Sequence, residues 1–281
     1  MPAHLKKIAA ITMARNDDFF LTHWIDYYGR ELGEENLYLF LDGEDQPVPA
    51  NAGKVNVKHE VRVAEHVVAA EKRRLGFLSE VAADLQKKYD IIIGVDADEF
   101  VVVDPATEKS LREYLSSINI KDSVSGLGID VGQHLELEEV LDKTKPFLAQ
   151  REYALLSTRY TKPSVISKPV RWGSGFHRVR GHNFHIDPNL YLFHFGSVDY
   201  QMIQERFQDK DRMATGREGH IKKRAKTMTI ITGKAAKEGD KWLSLARKIQ
   251  TWIRPPYALN KPAMLGWNLV VKIPERFKNI V

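Results

Sequence analysis

Three carboxylates within four positions close the run Ile91-Ile92-Ile93-Gly94-Val95-Asp96-Ala97-Asp98-Glu99-Phe100. The stretch before them carries no polar side chain, which marks a strand covered on both faces. Alternation along extended chain then sets Asp96 and Asp98 on one side of it. Acids crowded this way repel one another unless a cation neutralises them. Oxygen donors suit a hard divalent ion, Mg²⁺ or Mn²⁺, which takes one or two carboxylates and fills its shell with water and substrate phosphates. The chemistry to expect is therefore metal-assisted work on a phosphate-bearing substrate.

Such a site needs a rigid edge to stand on. Ile8 to Met13 reads as a buried strand, and the helix opening at Asp17 sets Phe20, Trp24, Tyr27, Tyr28 and Leu32 on one face before Gly33 stops it. Asn36 to Leu41 is a second strand ending at Asp42-Gly43, Lys54 to Val57 a third, and Val67 to Lys88 a long helix with Val68, Leu75, Leu78, Ala82 and Leu85 inward. Strands alternating with helices predict a doubly wound α/β domain, whose ligands sit beyond the carboxyl ends of the strands. Those ends are Arg15-Asn16, Asp42-Gly43 and Asp96 to Glu99, and they converge on one crevice. Further on, 107–118 reads as helix, Val124 to Val131 as strand, Tyr153 to Gly196 as loop and short strand, and the chain from Asp199 as helix.

These residues resemble the metal-dependent GT-A glycosyltransferases, in particular their bacterial family-2-like group. Its mark is Asp-X-Asp at the end of a buried strand, often extended to Asp-X-Asp-Glu-Phe, and Asp96 to Phe100 matches the longer form. Ala14-Arg15-Asn16-Asp17 before a helix with Trp24 and Tyr27-Tyr28, the Tyr38 to Asp42 strand, and Lys168-Pro169, Gly175-Phe176-His177 and Leu192-Phe193-His194-Phe195 match as well. Together they span about residues 8 to 212.

The resemblance implies a GT-A fold: a Rossmann-like, mostly parallel central sheet flanked by helices, with a C-terminal helical appendage. It implies transfer of a sugar, with inversion, from a nucleotide-sugar donor, UDP-linked, to a glycan or lipid-linked cell-envelope acceptor, aided by Mn²⁺ or Mg²⁺. Asp98 would ligate the metal, Asp96 would hold the ribose or reach the metal through water, and His194 would complete the shell, with His177 as the alternative. Arg15, Asn16 and Asp42 would contact the nucleoside, and Lys72 and Arg73 the base or diphosphate. Charge left on the departing nucleotide is what a divalent ion with Lys or Arg stabilises, while the acceptor hydroxyl needs a base. Asp130 and Asp199 are the candidates for that base. Arg171 and Trp172, with His177 nearby, have the cationic and aromatic character of an acceptor-binding stretch. His177, His182, His185 and His194 also raise a zinc site, which the Gly, Asn and Pro around them oppose.

Composition sets the outer bounds. The 281 residues, 43% hydrophobic and 28% charged, suffice for a large core, and the absence of cysteine removes disulfides, thiolate metal sites and cysteine nucleophiles. No Gly-rich phosphate cradle is present, which lowers the alternative of a nucleotidyl or phosphoryl transferase. The net charge of +5 conceals an imbalance, because residues 201–281 carry 18 Lys and Arg against 7 Asp and Glu. That basic end, with Trp242, Trp252 and Trp267, matches peripheral contact with an anionic membrane. A nucleic-acid binder would leave the strand-end acids unexplained, so no nucleic acid is expected. The short apolar run at Ile8 falls short of a secretory signal, giving a cytoplasmic expectation. The division expected is a nucleotide-sugar-binding and catalytic domain over 1–212 and a basic helical region over 213–281.

Overall fold

The computed structural model describes residues 5–63, 65–181, 184–209, 213, 216, 218–255, 260–263 and 268–281; His182 and Trp267 lie outside them. Strands β1 (Ile8–Ala14), β2 (Leu37–Asp42), β3 (Asn56–Glu60) and β4 (Ile91–Gly94) pair in parallel in the order β3-β2-β1-β4. Alternate side chains of β1 serve two different cores. Ile8 and Ala10 pack with helix α1 (Asp18–Leu32) through Trp24, Ile25 and Tyr28, whereas Ala9, Ile11 and Met13 pack with helix α2 (Val67–Leu85) through Leu75, Leu78 and Ala82. The apolar run of β4 divides the same way, with Ile91 and Ile93 on one side and Ile92 on the other. Helices cover both faces, as unbroken apolarity requires. The mixed α/β class expected from the sequence is the class observed.

Past β4 the sheet becomes mixed. Strand β8 (Val165–Ile166) lies antiparallel between β4 and β6 (Ser123–Gly132), and β7 (Tyr153–Leu156) and β10 (Leu269–Lys272) extend it. The long strand β9 (Ile186–Ser197) runs parallel to β6 and antiparallel to β5 (Glu99–Val103). Registry matters here: His194 stands opposite Glu99 on β5 and opposite Asp130 on β6. The stretch Tyr153 to Gly196, expected as loop and short strand, thus contains a twelve-residue strand. Near its start, Asp187, Pro188 and Asn189 mask the apolar second half.

Helix α3 (Leu111–Ser117) starts with a capping box between Ser110 and Glu113. The C-terminal region is helical over α4 (Tyr200–Gln208), α5 (Glu218–Gly233) and α6 (Gly239–Trp252), and it also returns β10 to the edge of the sheet. Arg276, close behind, clamps Asp104 with two bonds of 2.7 and 2.9 Å. Helix α5 lies across β6, β7 and β9. No helix among the described residues is long and apolar enough to cross a membrane.

Candidate active site

The ends of β1, β2 and β4 open onto a cavity of about 800 Å³, closed by the first turns of α2, the 157–162 loop and α5. Arg15, Asp42, Asp96, Asp98, Asp130 and His194, all proposed from sequence, line it together. The crevice expected at the strand ends is the one observed.

Each acid of the Asp96 to Glu99 cluster meets a cation. Asp96 accepts from Arg74 Nη2 at 2.8 Å and lies 3.4 Å from Lys162 Nζ, which also bonds Glu99 Oε1 at 2.5 Å. Arg74 is fixed from behind by both carboxylate oxygens of Glu71, at 2.9 and 3.1 Å. Asp98 Oδ2 accepts from Arg224 Nη2 at 2.6 Å and faces His194 Nε2 at 3.6 Å. Burial pushes the Asp96 and Asp98 carboxyls up, but the charges of Arg74 and Lys162 on one, and of Arg224 and His194 on the other, hold both well below the usual range. Lys162 is 3% exposed, and the carboxylates of Glu99 and Asp96 keep it charged against that burial.

His194 is oriented from behind. Its Nδ1 lies 2.7 Å from Asp130 Oδ1, and the other Asp130 oxygen accepts from Thr227 Oγ1 at 3.1 Å. The ring also stacks on Tyr160 with centroids 3.8 Å apart. Burial lowers the imidazole, yet Asp98 and Asp130 outweigh it and raise it to about 9. Gly196 supplies the room: a Cβ there would come 2.6 Å from His194 Nε2 and 2.7 Å from Arg224 Nε. Imidazole held by a carboxylate on one nitrogen, with the other nitrogen facing a second carboxylate across 3.6 Å, is a donor pair that fits a divalent ion. Among the described residues no group of three acid or imidazole side chains is arranged to hold a metal ion, so a bound ion would draw its remaining ligands from substrate and water.

Other expectations change. Lys72 and Arg73 point to solvent, Arg73 toward Glu65 at 3.3 Å, and the cation at the site is the next residue, Arg74. The buried face of α2 runs through Leu75 and Leu78, so position 74 sits at the sheet end while 72 and 73 face away. Val68, expected inward, is 70% exposed at the cavity mouth. Asn16 does not line the cavity; it sits at positive φ and binds Gln46 through its backbone N–H and its side-chain oxygen. Asp42 does line it, and its Oδ1 is buried with no hydrogen-bond partner among the described residues.

Asp199 caps α4 by accepting from Met202 N at 2.9 Å, accepts from Leu141 N, and lies outside the cavity. Asp130 is in the cavity, where its two oxygens meet His194 and Thr227 and so orient the imidazole. Trp172 is buried beneath α2, donating to Pro163 O at 3.0 Å, and Arg171 lies on a separate groove near Glu80, so neither reaches the cavity. His177 does reach it, anchored to Arg159 O at 2.8 Å, and burial together with Lys162 lowers it to about 3. Arg74, Lys162, Arg224 and Thr227 went unforeseen, because only tertiary packing brings them to the acids.

No family model matches the chain, and no curated protein matches it. Among solved structures it is similar to a mannose-1-phosphate geranyltransferase from Thermus thermophilus, at 12% identity and a TM-score of 0.31, covering 86% of this chain and 67% of that one. It is also similar to CMP:2-keto-3-deoxy-manno-octonic acid synthetase complexed with CTP, at 13% identity and a TM-score of 0.30, covering 78% and 86% respectively. At these identities and scores neither likeness bears on which reaction this chain performs.

Proposed function

We propose that this chain is a divalent-cation-dependent glycosyltransferase that takes a sugar from a UDP-linked donor to a glycan or lipid-linked acceptor. The observation that carries the reading is the meeting of Asp96, Asp98 and His194 with Arg74, Lys162 and Arg224 in one cavity at the carboxyl ends of parallel strands. Asp98 and His194 are the residues that would hold Mn²⁺ or Mg²⁺. Such an ion, when bound, offsets negative charge on a diphosphate.

The chain's own groups take the remaining roles. The unpartnered Asp42 Oδ1 accepts a hydrogen bond from a nucleoside N–H or hydroxyl, which removes the cost of leaving a buried acceptor unmade. Arg74 and Lys162 keep Asp96 ionised before any ligand arrives, which is electrostatic preorganisation, while Lys162 holds Glu99 in place although burial pushes that carboxyl up to about 7. Among the described residues, Arg159, Lys223 and Lys226 line the cavity without a carboxylate partner and supply positive potential to an anionic substrate. Trp252, 83% exposed at the end of α6, with exposed Leu245, Lys241 and Lys248, supports peripheral contact with an anionic bilayer presenting a lipid-linked acceptor.

The test is a panel of nucleotide sugars with Mn²⁺, scored for release of free nucleotide. Hydrolysis of one UDP-sugar that depends on the metal and on Asp98 is the expected result. Joining of a nucleoside triphosphate to a sugar 1-phosphate, with no UDP-sugar turned over, would replace this reading with a nucleotidyl transferase.

A further inference from the structure

The three basic side chains at the acids are not equivalent. Arg74 is bound to Glu71 as well as Asp96, and Lys162 to Glu99 as well as Asp96, so withdrawing either would strand a second carboxylate. Arg224 differs. Among the described residues its one carboxylate partner is Asp98, at 2.6 Å, and it comes from α5 and not from an element of the parallel sheet. The oxygen it holds, Oδ2, is the one facing His194 Nε2. A divalent ion placed between Asp98 and His194 would meet this guanidinium as a like charge, and the two compete for one oxygen.

We infer that Arg224 is a two-position residue, which neutralises Asp98 while the cavity lacks donor and turns its planar fork to the donor's diphosphate once a divalent ion takes Asp98. This rests on the reading that the cavity accepts a metal with a nucleoside diphosphate. A guanidinium displaced from a carboxylate needs another anion, and its paired N–H groups match phosphate oxygens. Lys223, Lys226 and Thr227 on α5 line the same wall, so the side chain remains within the cavity when it turns. Gly196 leaves space at the pivot, since a side chain there would come 2.7 Å from Arg224 Nε. The consequence is a coupling: Arg224 opposes the metal when it binds alone and joins it when diphosphate is present.

The experiment is a set of calorimetric titrations of the full chain with Mn²⁺ alone, with UDP alone, and with UDP at saturating Mn²⁺, for wild type, Arg224→Ala and Arg224→Lys. The wild type is expected to bind Mn²⁺ weakly alone and at least ~10-fold more tightly with UDP, within the usual range of such couplings. Arg224→Ala is expected to bind Mn²⁺ alone about tenfold more tightly and UDP with Mn²⁺ about tenfold more weakly, opposite signs that a merely destabilised variant would not give. Arg224→Lys, which keeps the charge and loses the fork, should fall between them, and a ligand-free melt close to wild type for either variant secures the comparison. Unchanged or weaker Mn²⁺ binding in both variants, beside cooperative binding in the wild type, overturns this inference alone. Wild type that binds neither Mn²⁺ nor UDP, singly or together, overturns it along with the glycosyltransferase reading.

Discussion

The cavity has two walls of different construction. On the sheet side, Asp98, Asp130 and His194 stand on or beside buried strands, and strand pairing sets their spacing through the matches of His194 with Glu99 and Asp130. On the other side, α5 contributes Arg224 and Thr227 from a helix that meets the sheet through packing and side-chain bonds and not through strand pairing. A site built across the two keeps its acids at fixed separation and leaves the helix-borne cation free to change partner. Strand-held groups give precision and helix-held groups give adjustment.

The largest effect should come from the fixed wall. Asp98→Asn is expected to lower sugar transfer by roughly 10²- to 10³-fold while the fold survives, measured as turnover beside a thermal melt. Retained turnover would move the chemistry away from the strand ends. Next is Lys162→Met, which strands buried Glu99 while Asp96 keeps Arg74, and should cost about 3–5 kcal/mol in chemical denaturation. Adding Glu99→Gln to the same chain should return a substantial part of that loss; absence of any recovery would show that the pair is not what Lys162 satisfies.

The anchoring of the C-terminal region gives a smaller effect with a pH signature. Burial pushes Asp104 up, but its bonds to Arg276 outweigh this and leave it lowered. A lowered carboxyl contributes stability above its unfolded pKa of about 4 and loses it as pH falls through the folded value. Arg276→Ala should therefore cost about 1 kcal/mol or less at pH 7, given solvent screening, and the gap from wild type should close as the pH drops below about 4. A gap constant with pH would mean that Arg276 acts through packing and not through charge. The smallest effects belong to Lys72→Ala and Arg73→Ala, which should leave UDP affinity within about twofold, whereas Arg74→Ala at the next position should weaken it clearly.

The difference between the walls also explains what could be read in advance. Acids at the end of a strand announce themselves, because the apolar run of Ile91 to Val95 fixes where the sheet ends; the side each acid takes was not legible, since Asp96 and Asp98 lie in the turn between β4 and β5, where strand alternation does not apply. His194 was legible through its apolar strand and the motif resemblance. Asp42 was legible as the residue that closes β2. The cations were not, since Arg74 differs from Arg73 only by its angle on α2, and Lys162 and Arg224 reach the acids from 63 and 126 residues away. Trp172 and Asp199 misled for a related reason: an aromatic beside glycines and an acid ahead of a helix have structural uses, packing under α2 and capping α4, that look chemical in sequence.

The most direct measurement is anomalous diffraction from a crystal of this protein grown with Mn²⁺ and UDP. A manganese peak about 2.0–2.3 Å from an Asp98 oxygen and from His194 Nε2, with the diphosphate completing its shell, is the predicted result. Nucleotide seated in the cavity with Asp98 still closed on Arg224 and no manganese beside His194 would contradict it.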